Sequence, residues 1–84
     1  MKNDKAVEAL ALYRNGDEMQ MSIYAEQDEE LQLMIFDFTG RLIDNKSISL
    51  YSGITDIDID IFNPGMYVVN LFNESIHLSE KVLK

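Results

Sequence analysis

The segment TDIDIDIFNPGMYVVNL, residues 55–71, contains two alternating stretches separated by a turn signal. In the first stretch, three isoleucines alternate with three aspartates. Alternation with a period of two places the two kinds of side chain on opposite faces of a strand. Residues 54–61 are therefore predicted to form a strand with an apolar core face and an acidic face in water. The alternating residues are Asp56, Ile57, Asp58, Ile59, Asp60 and Ile61.

The second stretch begins after Asn63-Pro64-Gly65. Proline presets φ and glycine tolerates positive φ, so this tripeptide predicts a turn. Residues 66–72 are predicted to form the next strand, with Tyr67, Val69 and Leu71 facing the core and Met66 and Val68 on the opposite face. Gly65 is expected to permit the turn, and Tyr67 is expected to pack in the core.

Short alternating or apolar segments follow one another along the rest of the chain, separated by turns at intervals of about 8–12 residues. Residues 6–12 fit a helical turn almost as well as a strand, because alanine and leucine favour helix. The pattern predicts an all-β sandwich or small barrel of about seven short antiparallel strands. The predicted strands are residues 6–12, 18–24, 31–38, 42–43 with 47–50, 54–61, 66–72 and 76–83.

Length and composition restrict the classes of protein that fit. The chain of 84 residues has no cysteine and a formal net charge of −8. Residues 6–84 are predicted to form one domain, and residues 1–5 are predicted to be a tail, a linker or a cloning remnant. The negative charge disfavours nucleic acids and anionic membranes as partners. No apolar run approaches the roughly 18–20 residues that cross a bilayer.

The aspartate ladder does not match a calcium loop. An EF-hand loop needs glycine at its sixth position and glutamate at its twelfth. Counted from Asp56, those positions hold Ile61 and Tyr67. Carboxylates on one strand face also point in parallel, roughly 6.5–7 Å apart, instead of converging on one ion. No metal site is predicted, and a solvated strand face or an acidic docking strip remain the alternatives.

Catalytic chemistry has little support in the sequence. His77 is the single histidine, and Ser75 and Ser79 share its strand face. Residues on one strand face point in parallel, and no orienting acid or oxyanion hole is visible beside them. The sequence predicts neither an enzyme nor a cofactor, but a small acidic interaction or structural module. A carbohydrate-binding platform would need exposed aromatic side chains, for which Tyr13, Tyr24, Tyr51 and Phe72 lie on separate segments.

The order of the segments resembles a known family. LQLMIFDFTGRLIDN, residues 31–45, has an apolar strand, an Asp-x-x-Gly-Arg hairpin and a second apolar start. A Gly-marked turn, the alternating Asp strand, the Gly65-Met66-Tyr67 step and the ending KVLK follow in order. This set resembles the C-terminal sorting domain of type IX secretion substrates in the Bacteroidota. Where that family has a Pro-Asn-Pro turn near its start, this chain keeps only Asn15, followed by Gly16.

The resemblance implies a seven-stranded immunoglobulin-like sandwich at the end of a longer exported protein. A separate signal peptide would bring the passenger to the periplasm, and an outer-membrane translocon with its shuttle protein would recognise the folded domain. A sortase-like cysteine protease then removes the domain in many members and links the passenger to lipopolysaccharide, while other members keep it. The passenger would end at the cell surface or be secreted.

Under this resemblance, the basic end of the chain is the expected handle for the translocon. The handle consists of Lys81, Val82, Leu83 and Lys84, with Lys81 and Leu83 on one strand face and Val82 on the other. A strand edge there could also bind a partner by strand addition. Gly40 is expected to permit the hairpin turn after Thr39. The rival interpretations are a solvated end strand, a generic immunoglobulin-like structural or adhesion module, and a carbohydrate-binding sandwich.

Overall fold

Seven β-strands make up the regular structure of residues 6–84, which are the residues that the computed structural model describes. The predicted tail at residues 1–5 lies outside the described residues. No helix that could cross a membrane is found between residues 6 and 84. The strands are β1 (Val7–Asn15), β2 (Glu18–Ala25), β3 (Glu29–Asp37), β4 (Leu42–Leu50), β5 (Gly53–Asp58), β6 (Met66–Phe72) and β7 (His77–Leu83).

The strands form two antiparallel sheets, one with the order β1-β2-β5 and one with the order β4-β3-β6-β7. Hairpins join β1 to β2, β3 to β4, and β6 to β7. The pairs β2–β5 and β3–β6 join strands that are not consecutive in the chain. This is the Greek-key connection of immunoglobulin-like sandwiches. The predicted all-β class, with seven antiparallel strands, is confirmed.

The first strand settles the choice between helix and strand for residues 6–12. All of them except Ala6 belong to β1, which begins at Val7, pairs with β2 and continues to Asn15. Helix propensity is worth only a few tenths of a kcal/mol per residue, and the backbone bonds and core contacts of a sheet override it. Gly16 and Asp17 form the two-residue turn, with φ of 66° at Gly16. A positive φ at the first central position alone is typical of a type II′ hairpin.

The strand of the aspartate ladder is shorter than predicted. β5 ends at Asp58, although Ile59 and Ile61 continue the buried side of the alternation. Past the end of the strand, Ile59 N–H donates to the carbonyl of Met19 at 2.9 Å. Ile61 N–H donates to the carbonyl of Ile59 at 3.1 Å, so the chain turns here and the regular ladder ends. Burial of the isoleucines therefore continues beyond the end of the strand.

The core lies between the two sheets and consists of alternate residues of both. Five of its seven most enclosed large side chains lie on the central strands β2, β3 and β6, and the other two lie on the edge strands β4 and β7. The central strands are covered by a sheet on one side and flanked by strands on both edges. Truncating any of these side chains leaves a cavity that the sandwich cannot close fully. The largest side chains with almost no exposure are Ile23, Leu33, Ile35, Leu50, Val69, Leu71 and Val82.

The β3–β4 hairpin depends on Asp37. Its Oδ1 accepts hydrogen bonds from the N–H of Thr39 and the N–H of Arg41, both at 3.0 Å, and from Thr39 Oγ1 at 2.6 Å. Its Oδ2 accepts from Arg41 Nε at 3.2 Å. Gly40 has φ of 90°, which a residue with a Cβ adopts only with strain. The hydrogen bond from the Thr39 hydroxyl, followed by that from the Arg41 N–H, lowers the pKa of Asp37 below its usual 3.8.

Replacing Asp37 by asparagine is expected to reduce the acid sensitivity of the fold. A carboxyl whose pKa is lowered by folding stabilises the fold above its unfolded-state pKa, and this stabilisation is lost as the pH falls through the folded-state pKa. Asparagine can accept the three bonds made at Oδ1 but not the bond from Arg41 Nε at Oδ2, and it does not titrate. Urea unfolding between pH 6 and pH 2 should show the wild type losing free energy of unfolding relative to Asp37→Asn at the acidic end. A difference that stays constant with pH would contradict this role.

Candidate recognition surface

The outer face of the four-stranded sheet carries a run of apolar side chains on strands that also bury their other face. Met66 lies opposite Leu83, and Phe36 lies opposite Val68, so these pairs lie side by side across neighbouring strands. Met66 is 52% exposed and Leu83 is 68% exposed. We call this set the apolar face: Met34, Phe36, Met66, Val68, Phe72 and Leu83.

Few charged residues interrupt the apolar face. Lys81 is exposed and lies opposite Val68, next to the Met66–Leu83 pair. His77 lies opposite Phe72 at the other end of β7, and their rings meet edge to face with centroids 6.4 Å apart. His77 is therefore an exposed strand residue that contacts an aromatic ring.

The outer face of the three-stranded sheet is acidic by comparison. Asp56 accepts a hydrogen bond from the buried Ser22, and Asp58 accepts one from Gln20 Nε2 at 3.1 Å. Tyr24 and Ile54 form an exposed pair on the same face. Two of the three ladder carboxylates are thus engaged with side chains of β2.

The third carboxylate of the ladder, that of Asp60, forms an ion pair that links the two sheets. Lys46 of edge strand β4 places its Nζ 2.9 Å from Asp60 Oδ2 and 3.3 Å from the carbonyl oxygen of Asp58. Asp44 lies 4.0 Å from the same ammonium. The three aspartates of the ladder therefore have three separate partners. Among residues 6–84, no group of three or more acidic or histidine side chains is placed to hold a metal ion.

The predicted handle divides into two exposed and two internal residues. Lys81 and Leu83 point outward on the apolar face, whereas Val82 lies opposite Tyr67 in the core and is 1% exposed. Lys84 exchanges two backbone hydrogen bonds with Gly65, at 2.9 and 3.1 Å. Its Nζ donates to the carbonyls of Asp17 at 3.2 Å and Ile61 at 2.5 Å. Lys84 thus ties the end of β7 to two other connections of the sandwich.

Tyr67 makes a bond that sequence reasoning missed. Its hydroxyl donates to the carbonyl oxygen of Asn63 at 2.7 Å, while the ring is buried. A tyrosine at the start of this strand that bonds the backbone a few residues upstream is the tyrosine corner of immunoglobulin-like sandwiches. Gly65 has φ of 149°, and a Cβ there would lie 3.6 Å from the Tyr67 ring. That distance is ordinary van der Waals contact, so the backbone conformation is what favours glycine.

These features define an immunoglobulin-like module with one apolar and one acidic outer face. The family model described as "secretion system C-terminal sorting domain" matches residues 12–84. The chain therefore belongs to this family and is a sorting signal of type IX secretion. No curated protein matches the chain.

Family membership defines the role of the module in general terms. A sorting domain of this kind interacts with the secretion machinery and is fused to an N-terminal passenger, and its substrates are exported to the cell surface or secreted. The family is not known for enzymatic activity. The rival interpretations as a generic adhesion module or a carbohydrate-binding module have no support in these comparisons.

Proposed function

We propose that the type IX machinery recognises this sorting signal at one corner of the apolar face, formed by Met66, Lys81 and Leu83. The exposure of the Met66–Leu83 pair is the observation that carries the proposal. Isolated exposed apolar residues are common, but exposed apolar residues that extend a larger apolar patch are typical of an interaction site. The Met66–Leu83 pair extends the apolar face, whereas the Tyr24–Ile54 pair shares its face with Asp56 and Asp58. We name these three residues the recognition corner.

The chemistry of the recognition corner suits reversible binding by a protein. Full burial of a methionine or leucine side chain contributes about 1.5–3 kcal/mol, so two such side chains supply a substantial share of a micromolar affinity of about 8 kcal/mol. Lys81 adds a positive charge, in a chain whose net charge is −8, that favours a partner surface with a carboxylate.

Val82 and Lys84 have a positioning role in this proposal. Val82 packs β7 onto the core, and Lys84 holds the strand end against Gly65 and Ile61. Because β7 is held on both sides of Leu83, the backbone of the recognition corner has little freedom to lose on binding, and only the side chains have to be ordered. In this proposal, Lys81 and Leu83 of the handle make the contact as part of the recognition corner, and Val82 and Lys84 hold the strand that carries them.

The partners proposed for the recognition corner are the outer-membrane translocon and its shuttle protein. Family membership supports these partners, and the proposal includes passage of the passenger through the periplasm before they act. The fold supports recognition after folding, because β6 and β7 bring Met66 and Leu83 together only once the strands have paired.

The proposal predicts that two equally exposed apolar residues differ in their effect on export. The test fuses the chain after a periplasmic reporter in a host with type IX secretion, and compares Leu83→Ser with Ile54→Ser. Both residues are highly exposed, but Ile54 lies on the acidic face. Leu83→Ser should lower the exported fraction about tenfold, which corresponds to a loss of about 1.4 kcal/mol of binding free energy.

Ile54→Ser should leave export near the wild-type value, and both variants should keep the wild-type melting temperature. Equal export by the two variants would overturn the recognition corner. Loss of export with Ile54→Ser alone would assign recognition to the acidic face.

A further inference from the structure

Four strands, β1, β4, β5 and β7, lie at sheet edges, and the first three are protected against pairing with another chain. β5 is only six residues long and carries the charged side chains of Asp56 and Asp58. β1 is interrupted by a bulge between Ala9 and Ala11. β4 turns the charged side chains of Asp44 and Lys46 inward, and Lys46 seals β4 against the end of β5. Bulges and inward charges are known protections of edge strands. The fourth edge, β7, pairs with β6 over seven residues in an unbroken register.

The register determines which backbone groups of β7 are open. Gly65 and Lys84 exchange both their hydrogen bonds, and Asn73 N–H donates to Ile76 C=O at 2.9 Å. Bonded and non-bonded pairs alternate in an antiparallel ladder, so Val82, Glu80 and Leu78 also bond to β6. The N–H and C=O groups of the intervening residues point away from β6 and have no backbone partner among residues 6–84. The intervening residues are His77, Ser79, Lys81 and Leu83.

A cleft of about 670 Å³ opens beside this edge, between β7 and β1 of the other sheet. Ile76 and Leu78 give it an apolar floor that packs against the core. Glu8, Glu29 and Glu80 also line it, and no lysine or arginine lines it among the described residues. Glu80 lies opposite Val69, so its side chain turns toward the cleft, and it makes no ion pair within residues 6–84.

We propose that the open edge of β7 binds an extended segment of another protein as an additional strand, with a lysine or arginine of that segment facing Glu80. The free backbone groups supply the hydrogen bonds, as in other cases of strand addition. Side chains of the added strand that share the face of Leu78, Glu80 and Val82 turn toward the cleft. The glutamates there select a basic side chain by charge.

This binding mode is separate from the recognition corner. It uses main-chain groups and the inward face of β7, whereas the recognition corner uses outward side chains of β6 and β7. A sandwich with the corner removed should still accept the strand. Strand addition can therefore be tested by binding alone, without measuring export.

The test uses the whole chain and a synthetic seven-residue peptide as the probe. In the peptide, threonines alternate with valine, lysine and valine, so that the lysine and both valines share one face. A matched peptide has glutamate in place of lysine. Nuclear magnetic resonance titration should show amide shifts at His77, Ser79 and Lys81 with the lysine peptide, and at least fivefold weaker binding of the glutamate peptide.

Two variants distinguish the contribution of the open backbone N–H groups from that of the Glu80 charge. Ser79→Pro removes an open N–H at an edge position where proline is tolerated, and should abolish binding while Ser79→Ala retains it. The melting temperature of Ser79→Pro should stay within about 8 °C of the wild type. Glu80→Gln keeps the strand intact and should reduce the preference for lysine, which tests the proposal even if the proline variant unfolds.

Three results would overturn the proposal. They are the absence of binding at millimolar lysine peptide, equal binding of the lysine and glutamate peptides by the wild type, and unchanged binding by a folded Ser79→Pro variant.

Discussion

An aspartate in place of Val82 is expected to leave the domain largely unfolded at 25 °C. Val82 is almost completely buried between the sheets, and Tyr67 lies opposite it on the neighbouring strand β6. An uncompensated buried charge costs about 3–5 kcal/mol, and the lost packing of valine adds to this. A small domain has only about 5–15 kcal/mol of total stability. Circular dichroism and urea unfolding should show a weak or absent folding transition.

The adjacent residue provides the matched control. Leu83→Asp introduces the same side chain one position further along β7, but into solvent. Its free energy of unfolding should stay within about 0.5 kcal/mol of the wild type, as for other surface substitutions. Comparable destabilisation by the two variants would contradict the observed division of the chain end into internal and exposed residues.

The second large effect is expected at Tyr67. Replacement by alanine removes a buried aromatic ring and its hydroxyl, and should lower the free energy of unfolding by about 3–5 kcal/mol. The ring lies at the point where the connection from β5 enters the core, beside Gly65 and the end of β7. Urea denaturation of the purified variant measures the loss.

Tyr67→Phe separates the ring from the hydroxyl. It keeps the packing and removes only the bond to Asn63, so its cost should be about 0.5–1.5 kcal/mol. If Tyr67→Phe were as destabilising as Tyr67→Ala, the corner bond and not core packing would dominate. If Tyr67→Phe were neutral, the bond would contribute nothing to the fold.

Most of the sheet structure could be predicted from the sequence because one face of each strand is buried. The alternation in residues 66–72 predicts β6 with its observed bounds and places Val69 and Leu71 in the core. The same signal fails at the ends of strands, where the regular ladder stops before burial does. Ile59 and Ile61 are buried beyond the end of β5, so their alternation predicts a longer strand than the ladder supports.

Contacts between distant segments could not be predicted in the same way. Strand patterns do not determine which strands become neighbours, so the bond of Lys84 to Ile61 and the approach of Lys46 to Asp60 have no local signal. The spacing from Asn63 to Tyr67 could have indicated the tyrosine corner, since a tyrosine shortly after a turn at a strand start is typical of it.

The alternation of buried and exposed residues along β7 follows from the same strand geometry that builds the fold. Alternate residues of one strand serve the core and the surface, so Val82 holds the strand while Leu83 is free to contact a partner. Deleting residues 81–84 would remove both the core packing of Val82 and the exposed contact of Leu83. Single substitutions of neighbouring residues distinguish them.

Site-specific crosslinking tests the proposed recognition corner most directly. A photoreactive amino acid replaces Leu83 in one fusion and Ile54 in another, which are 68% and 67% exposed. After irradiation of cells that are exporting the passenger, Leu83 should crosslink to a component of the outer-membrane machinery, whereas Ile54 should not. Crosslinks from Ile54 with none from Leu83 would place recognition on the acidic face and contradict the proposal.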